Sequence, residues 1–286
     1  MTARANRVKK PTAPPLTQAP ARKALGQHFL FDPDILSRTA IAAGPVEGRT
    51  VIEVGPGPGG LTRALLNANA KKVIAIETDP RFAEALTNWP EASSARLRLL
   101  QKDALKVDYA GLVEEEDKSS PVMIVANLPY NVATPLLVNW LKAGDWRGEM
   151  ALMFQKEVAL RICARPGEPH YGRLAVLAQS VAQTHIAFTL PPGAFKPPPK
   201  VDSAVAVLVP KEKTDQFTDL KTLEAVTAAA FGQRRKMLRR SLKAFAAARN
   251  TDVETWLTCA DIEPTARAET IDQSGWQRLV REITKP

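Results

Sequence analysis

A glycine-rich turn limits this chain to a narrow set of architectures. The segment Glu53-Val54-Gly55-Pro56-Gly57-Pro58-Gly59-Gly60 places Gly55, Gly57 and Gly60 in a G-x-G-x-x-G register. An apolar run, Thr50–Val54, precedes the turn, and a helical pattern over residues 60–69 follows it. Glu77 closes the next apolar run, Lys72–Glu77. Strand, glycine turn, helix and strand-terminal acid together describe the opening of a doubly wound sheet with a ribose-bearing ligand at its carboxyl edge. Glycines let the backbone approach such a ligand, and Glu77 can hold its ribose hydroxyls. Tight-turn glycines alone would need none of the other three parts.

The alternation continues. Strands are expected at 96–101, 122–126, 150–154, 184–190 and 203–209, and helices at 80–86, 134–141, 155–164 and 173–182. A proline-rich loop, 191–200, separates the last two strands. Beyond Pro210 the periodicity is helical, with no strand signal. The expected organisation is a basic tail (1–20), an α/β domain (21–212) and a small all-helical domain (213–286). The tail is rich in Pro, Ala, Arg and Lys and has no acid, so it should be disordered. A mitochondrial presequence is the alternative, although four prolines break any long amphipathic helix there. A basic arm touching RNA phosphates is favoured.

The turn motif does not by itself separate a nicotinamide cofactor from S-adenosylmethionine. Three features favour the second. Glu53 lies just before the loop, badly placed for a pyrophosphate but suited to an ammonium and a sulfonium. Asp103, after the third strand, can accept an adenine amine; its simpler role is a helix N-cap. The fourth strand then ends in Asn127-Leu128-Pro129-Tyr130. There the Asn127 side-chain oxygen can accept one N–H of a planar amine. The Leu128 carbonyl can accept the other, because Pro129 biases Leu128 toward an extended backbone. Tyr130 can stack on the ring. Two acceptors that draw the N–H groups out of plane return the lone pair to a conjugated amine, so the corner suggests alkylation of a nucleobase. A plain turn is the alternative reading.

Net charge over the 286 residues is +9, which points to an anionic partner, nucleic acid first. Cys163 and Cys259 form no CxxC, and His28, His170 and His185 have no metal-ligand spacing. No metal site is expected, and the cysteines fit a reducing compartment. No stretch is long enough to span a bilayer, and a cytoplasmic location is expected. Phe231, Leu238, Leu242 and Phe245 recur at helical spacing, which leaves Arg234, Arg235, Lys236, Arg239 and Arg240 on the remaining surface as phosphate ligands. A merely solvated basic face is the alternative. Lys196 and Lys200 flank Phe195, and Arg22 and Lys23 precede the sheet; all four cations are RNA candidates.

Four blocks carry a resemblance: Gly26-Gln27-His28-Phe29-Leu30, the glycine loop with the 127–130 corner, Phe195-Lys196-Pro197-Pro198-Pro199-Lys200-Val201-Asp202-Ser203, and Phe231-Gly232-Gln233-Arg234-Arg235-Lys236-Met237-Leu238. On these the chain resembles the bacterial 16S ribosomal RNA adenine N6-dimethyltransferase family (KsgA/RsmA type). The resemblance implies a Rossmann-like class I SAM-dependent methyltransferase sheet with a small C-terminal all-helical domain. It implies that His28, Leu30, Gly55, Glu77, Asp103 and Asn127 contact S-adenosylmethionine, beside Glu53 and Gly57, which the reading of the glycine loop adds. It implies that Asn127, Leu128, Pro129 and Tyr130 hold the target base, with Phe195 as a second aromatic wall. The substrate implied is two adjacent adenosines in the 3′-terminal hairpin of small-subunit RNA, within an immature 30S particle, acted on by a monomer. Two other readings are a large-subunit RNA methylase conferring macrolide resistance and an assembly factor with dispensable catalysis. The basic block and the 195–203 segment argue against the first, the intact acidic residues and corner against the second.

Overall fold

The structure, a computed structural model, describes residues 19–22, 25–116 and 121–285. The expected tail up to residue 18, and Lys23, lie outside the described residues. Nine strands are described: β1 (Phe29–Leu30), β2 (Thr50–Val54), β3 (Lys72–Glu77), β4 (Leu97–Gln101), β5 (Val122–Asn127), β6 (Arg147–Gln155), β7 (Ala182–Leu190), β8 (Phe195–Lys196) and β9 (Ser203–Pro210). Seven of them form one sheet in the order β4-β3-β2-β5-β6-β9-β7. β2 to β6 are mutually parallel, and β9 runs antiparallel to both β6 and β7. The order reverses between β2 and β5, and the crevice at their carboxyl ends is where such sheets bind ligands.

β5 shows why its sequence is an unbroken apolar run. Val122, Ile124 and Ala126 enter one hydrophobic cluster, while Met123 and Val125 enter the other on the opposite face. A strand covered on both sides has no polar position to alternate with. The first cluster takes in the helices Tyr130–Leu141 and Arg173–Val181. The second takes in Pro33–Ala40 and Gly60–Asn67.

The helix after β5 begins at Tyr130, four residues earlier than the sequence pattern suggests. Pro129 is its N-cap, with ψ 126°, and the Pro129 carbonyl accepts the N–H groups of Val132 and Ala133. Pro135 therefore sits inside the helix instead of opening it. This puts Tyr130 in the first turn, directly above the strand end.

Only helices follow β9 among the described residues: Leu220–Phe231, Leu238–Ser241, Lys243–Ala247, Val253–Cys259 and Gln273–Ile283, besides short 3-10 turns. Their buried side chains, among them Leu223, Leu238, Leu242, Trp256 and Trp276, are continuous with the core on one face of the sheet. The basic block is not one helix. Leu220–Phe231 stops at Gly232, and the chain turns before Leu238, whose N–H bonds the Ala266 carbonyl at 2.8 Å. Leu238 and Leu242 are fully buried as their spacing implies, but Phe231 belongs to the preceding helix. The intervening turn carries Arg234, Arg235 and Lys236 outward.

Candidate active site

A cavity of about 240 Å³ opens at the carboxyl ends of β2, β3 and β5. The sequence-predicted cofactor residues all line it: His28, Leu30, Glu53, Gly55, Gly57, Glu77, Asp103 and Asn127. Leu128, Pro129 and Tyr130 line it as well. The glycine loop and the corner touch. A Cβ built on Gly55, whose φ is +70°, would stand 3.3 Å from Pro129 Cδ, and one on Gly57 would meet the Phe29 ring at 2.9 Å. A side chain at Gly55 would fill the space between loop and corner, and one at Gly57 would collide with β1.

The electrostatics of the lining fit a cationic ligand. Three carboxylates, Glu53, Glu77 and Asp103, face the cavity, and no Lys or Arg is among its lining residues. A pyrophosphate would find no counter-charge here, whereas an ammonium or sulfonium would. Glu53 accepts a 2.6 Å hydrogen bond from the Thr62 hydroxyl. Glu77 accepts the Gly57 N–H at 3.0 Å through one oxygen and the Asp79 N–H at 2.8 Å through the other. Each carboxylate oxygen has a second lone pair for a ligand hydroxyl. Asp103 caps the short turn Ala104–Lys106 through the Leu105 N–H and lines the cavity at the same time, so the cap does not withdraw it from the cavity wall.

Burial pushes the Glu53 carboxyl up to about 8, with Glu77 adding repulsion and the Thr62 hydrogen bond opposing. The folded chain thus binds this proton more tightly than the unfolded chain. Between the ordinary value of 4.5 and about 8, folding takes up a proton, and stability falls as pH rises. Thermal denaturation of the ligand-free protein between about pH 5 and pH 8 should show this decline, with Glu53→Gln giving a flatter profile. Equal slopes would count against an uncharged Glu53. A cationic ligand reverses the preference by drawing the proton off, so its binding near neutral pH should release protons.

At the corner, the Asn127 side-chain nitrogen donates to the His28 carbonyl at 3.1 Å. The amide oxygen of Asn127 is thereby left as the acceptor. Tyr130 is fixed by a 2.6 Å bond between its hydroxyl and that of Ser203, the first residue of β9. Phe195 does not supply the opposing wall. It is 1% exposed, belongs to the same apolar cluster as Leu30, Leu190 and Val205, and is not among the cavity-lining residues. The cause is a two-strand ribbon in which β8 pairs antiparallel with β1, setting Phe195 against Leu30. The ring stacked on Tyr130 is instead His28, with centroids 5.5 Å apart and planes at 30°. His28 Nδ1 is 2.9 Å from the Pro197 carbonyl, on the proline-rich loop.

Two residues that position the site were missed from sequence. Buried Asp79 holds Arg81 through Nε at 3.0 Å and Nη2 at 2.6 Å, and accepts the Gln27 amide at 3.2 Å. The hydrogen bonds from Arg81 hold the Asp79 carboxyl well below the usual carboxylate range. Arg22, expected on RNA, is half exposed with its guanidinium 3.9 Å from Asp79, and its N–H bonds Gln27. The segment leading to His28 is thus tied to the end of β3. A helix-opening Asp-Pro-Arg after a strand was the available signal.

None of the other expected RNA residues is among those lining the cavity. Lys196 and Lys200 are exposed on the proline-rich loop. Arg234 pairs with Glu269 at 2.7 Å and Arg239 with Glu254 at 3.5 Å. Arg235, Lys236 and Arg240 are exposed, with no carboxylate partner among the described residues. No described helix is long and apolar enough to cross a membrane.

Comparison with known proteins accords with this geometry. The chain is 51% identical over 263 residues, 91% of its length and 82% of the relative's, to ribosomal RNA small subunit methyltransferase A of Gluconobacter oxydans. It is 52% identical to the protein of that name in Agrobacterium fabrum, covering 88% of each chain. A dimethyladenosine transferase from Plasmodium falciparum superposes with a TM-score of 0.71 at 26% identity, over 88% of this chain and 96% of the other. The 23S rRNA methyltransferase ErmE superposes with a TM-score of 0.65 at 26% identity, over 90% and 100%. The family profile for ribosomal RNA adenine dimethylase matches residues 19–285. With sheet order, acidic cavity and amine corner in agreement, the chain belongs to the ribosomal RNA adenine dimethylase family.

Proposed function

We propose that this protein transfers methyl groups from S-adenosylmethionine to N6 of two adjacent adenosines in the 3′-terminal hairpin of small-subunit ribosomal RNA, giving N6,N6-dimethyladenosine. The observation that supports the reading is that the glycine loop, Glu53, Glu77 and Asp103 line one cavity together with Asn127, Leu128 and Tyr130. Curated relatives near 50% identity are named for the small subunit. The likeness to the large-subunit enzyme is 26%, so the small-subunit substrate is favoured.

S-adenosylmethionine supplies an electrophilic methyl on a sulfonium, whose departure as a neutral thioether needs no general acid. Glu53, Glu77 and Asp103 would hold it, with Gly55 and Gly57 giving the backbone approach. Asn127 Oδ1 and the Leu128 carbonyl orient the adenine amine so that its lone pair faces the methyl. Tyr130 stacks on the base, which has left any helical stack to enter. No side chain is assigned as general base: the amine becomes acidic only once methylated, and solvent can take the proton. Catalysis is mainly positioning and charge complementarity. The partner is small-subunit RNA within an immature 30S particle, the enzyme a cytoplasmic monomer, and residues 213–286 a helical unit for RNA contact.

Mapping N6,N6-dimethyladenosine in small-subunit RNA from cells lacking this protein tests the reading. Both adjacent adenosines should be unmodified, and the purified enzyme should restore them. Full modification in its absence would overturn the assignment.

A further inference from the structure

A second cavity, of about 280 Å³, lies on the same edge of the sheet as the amine corner and is not part of it. It is built where β6 leaves the sheet and β9 enters. Gln155 ends β6, and Lys156 and Glu157 open the helix Lys156–Cys163. Val201 and Asp202 come from the segment before β9, and Leu160 and His170 complete the wall. Asp202 is held to Lys156 twice, through its carbonyl at 2.8 Å from the Lys156 N–H and through a 3.4 Å ion pair. Val201, an apolar residue, is left 46% exposed beside it.

The cavity is coupled to the corner through one residue pair. Gln155 is the register partner of Ser203, and Ser203 bonds the Tyr130 hydroxyl at 2.6 Å. Asn127 is at the end of β5, and the cavity is at the ends of β6 and β9. Neighbouring strands lie about 4.8 Å apart, so the two sites are within the reach of one splayed nucleotide step. The lining is mixed in sign. Glu157 can accept an exocyclic amine, Lys156 and Asp202 offset each other's charge, and the faces of Val201 and Leu160 and the ring of His170 offer surface for a base. A bare phosphate site would not carry two carboxylates.

We propose that this cavity binds the nucleotide next to the target, so that one adenosine of the adjacent pair docks between β6 and β9 while the other is in the Asn127 corner. The inference rests on the proposed function. It makes the neighbour a specificity determinant: RNA presenting a single adenine in the corner, with no base in the second cavity, is a poor substrate.

The test uses the full chain, S-adenosylmethionine and 30S particles from cells lacking the enzyme, with site-resolved methylation read by mass spectrometry. Val201→Asp places a carboxylate in the cavity without touching the corner. It should raise KM for particles at least ~10-fold while cofactor affinity by calorimetry stays at the wild-type value, which also reports an intact fold. In particles with uridine in place of one adenosine, wild type should lose a similar factor in kcat/KM on the other. Val201→Asp should lose at most about twofold more, because contacts to one shared site are not additive. Independent, multiplying losses, or a Val201→Asp enzyme with wild-type KM, would overturn the second site while leaving adenine methylation standing. A wild-type enzyme that methylates no particle would overturn both.

Discussion

Asn127→Ala is expected to lower methyl transfer by about 10²–10³-fold while changing particle affinity by no more than about threefold, a loss comparable to removing one preorganised donor from a transition-state site. The adenine amine is a weak nucleophile because its lone pair is conjugated with the ring. The reaction needs that pair localised toward the methyl, and the acceptors at the end of β5 are the groups placed to do this. Asn127 already spends its side-chain nitrogen on the His28 carbonyl, so its oxygen orientation is set before RNA arrives. Alanine removes the acceptor and the tie to His28 together. Asn127→Asp separates them: it retains an oxygen toward the amine but sets a carboxylate against the His28 carbonyl. An intermediate rate is expected for Asp, with cofactor affinity measured in parallel because Asn127 also lines the cofactor cavity. Incorporation of tritiated methyl into undermethylated particles is the assay. Near-normal incorporation by the Ala variant would remove Asn127 from the mechanism.

The parts of this molecule that were legible in sequence are those where local pattern and tertiary environment agree. β2 and β3 coincide with their apolar runs because both faces of the sheet are covered, so burial wrote itself into consecutive residues. That the sequence-predicted cofactor residues share one cavity was legible for a related reason: glycines and strand-terminal acids hold their places relative to the strands that carry them. The rest depends on contacts that leave no periodic trace. The β1–β8 ribbon pairs Leu30 with Phe195 across most of the sheet's length of chain. Two-residue strands have no alternation to read, so nothing local showed that Phe195 faces the core and His28 faces Tyr130. The prolines and lysines around Phe195 describe their own exposure, not that of the ring between them. Gly232 similarly breaks an apolar spacing that otherwise reads as one helix over 231–245.

The broken helix changes which cations should contact RNA. Neutralising Arg235, Lys236 and Arg240 together should weaken particle binding on the order of a hundredfold at low salt and flatten the dependence of log affinity on log salt by about 2–3, since each phosphate neutralised contributes roughly 0.7–0.9 to that slope. These three are exposed and free of carboxylate partners among the described residues, so their charge is available to release counterions. Arg234 and Arg239 differ. Their guanidinium groups already face Glu269 and Glu254, and Arg234 also reaches the Glu168 carbonyl at 3.4 Å. A phosphate would have to compete with those acids, and part-exposed pairs of this kind contribute only about 0–1 kcal/mol to stability. Arg234→Ala with Arg239→Ala should therefore leave the salt slope near wild type. Titrating affinity for undermethylated particles across salt concentrations compares the two sets directly. If the first triple variant keeps the wild-type slope, the turn after Gly232 does not face RNA. If the paired arginines carry the slope instead, their acids are exchanged for phosphates on binding, and the helical segment rearranges when it docks.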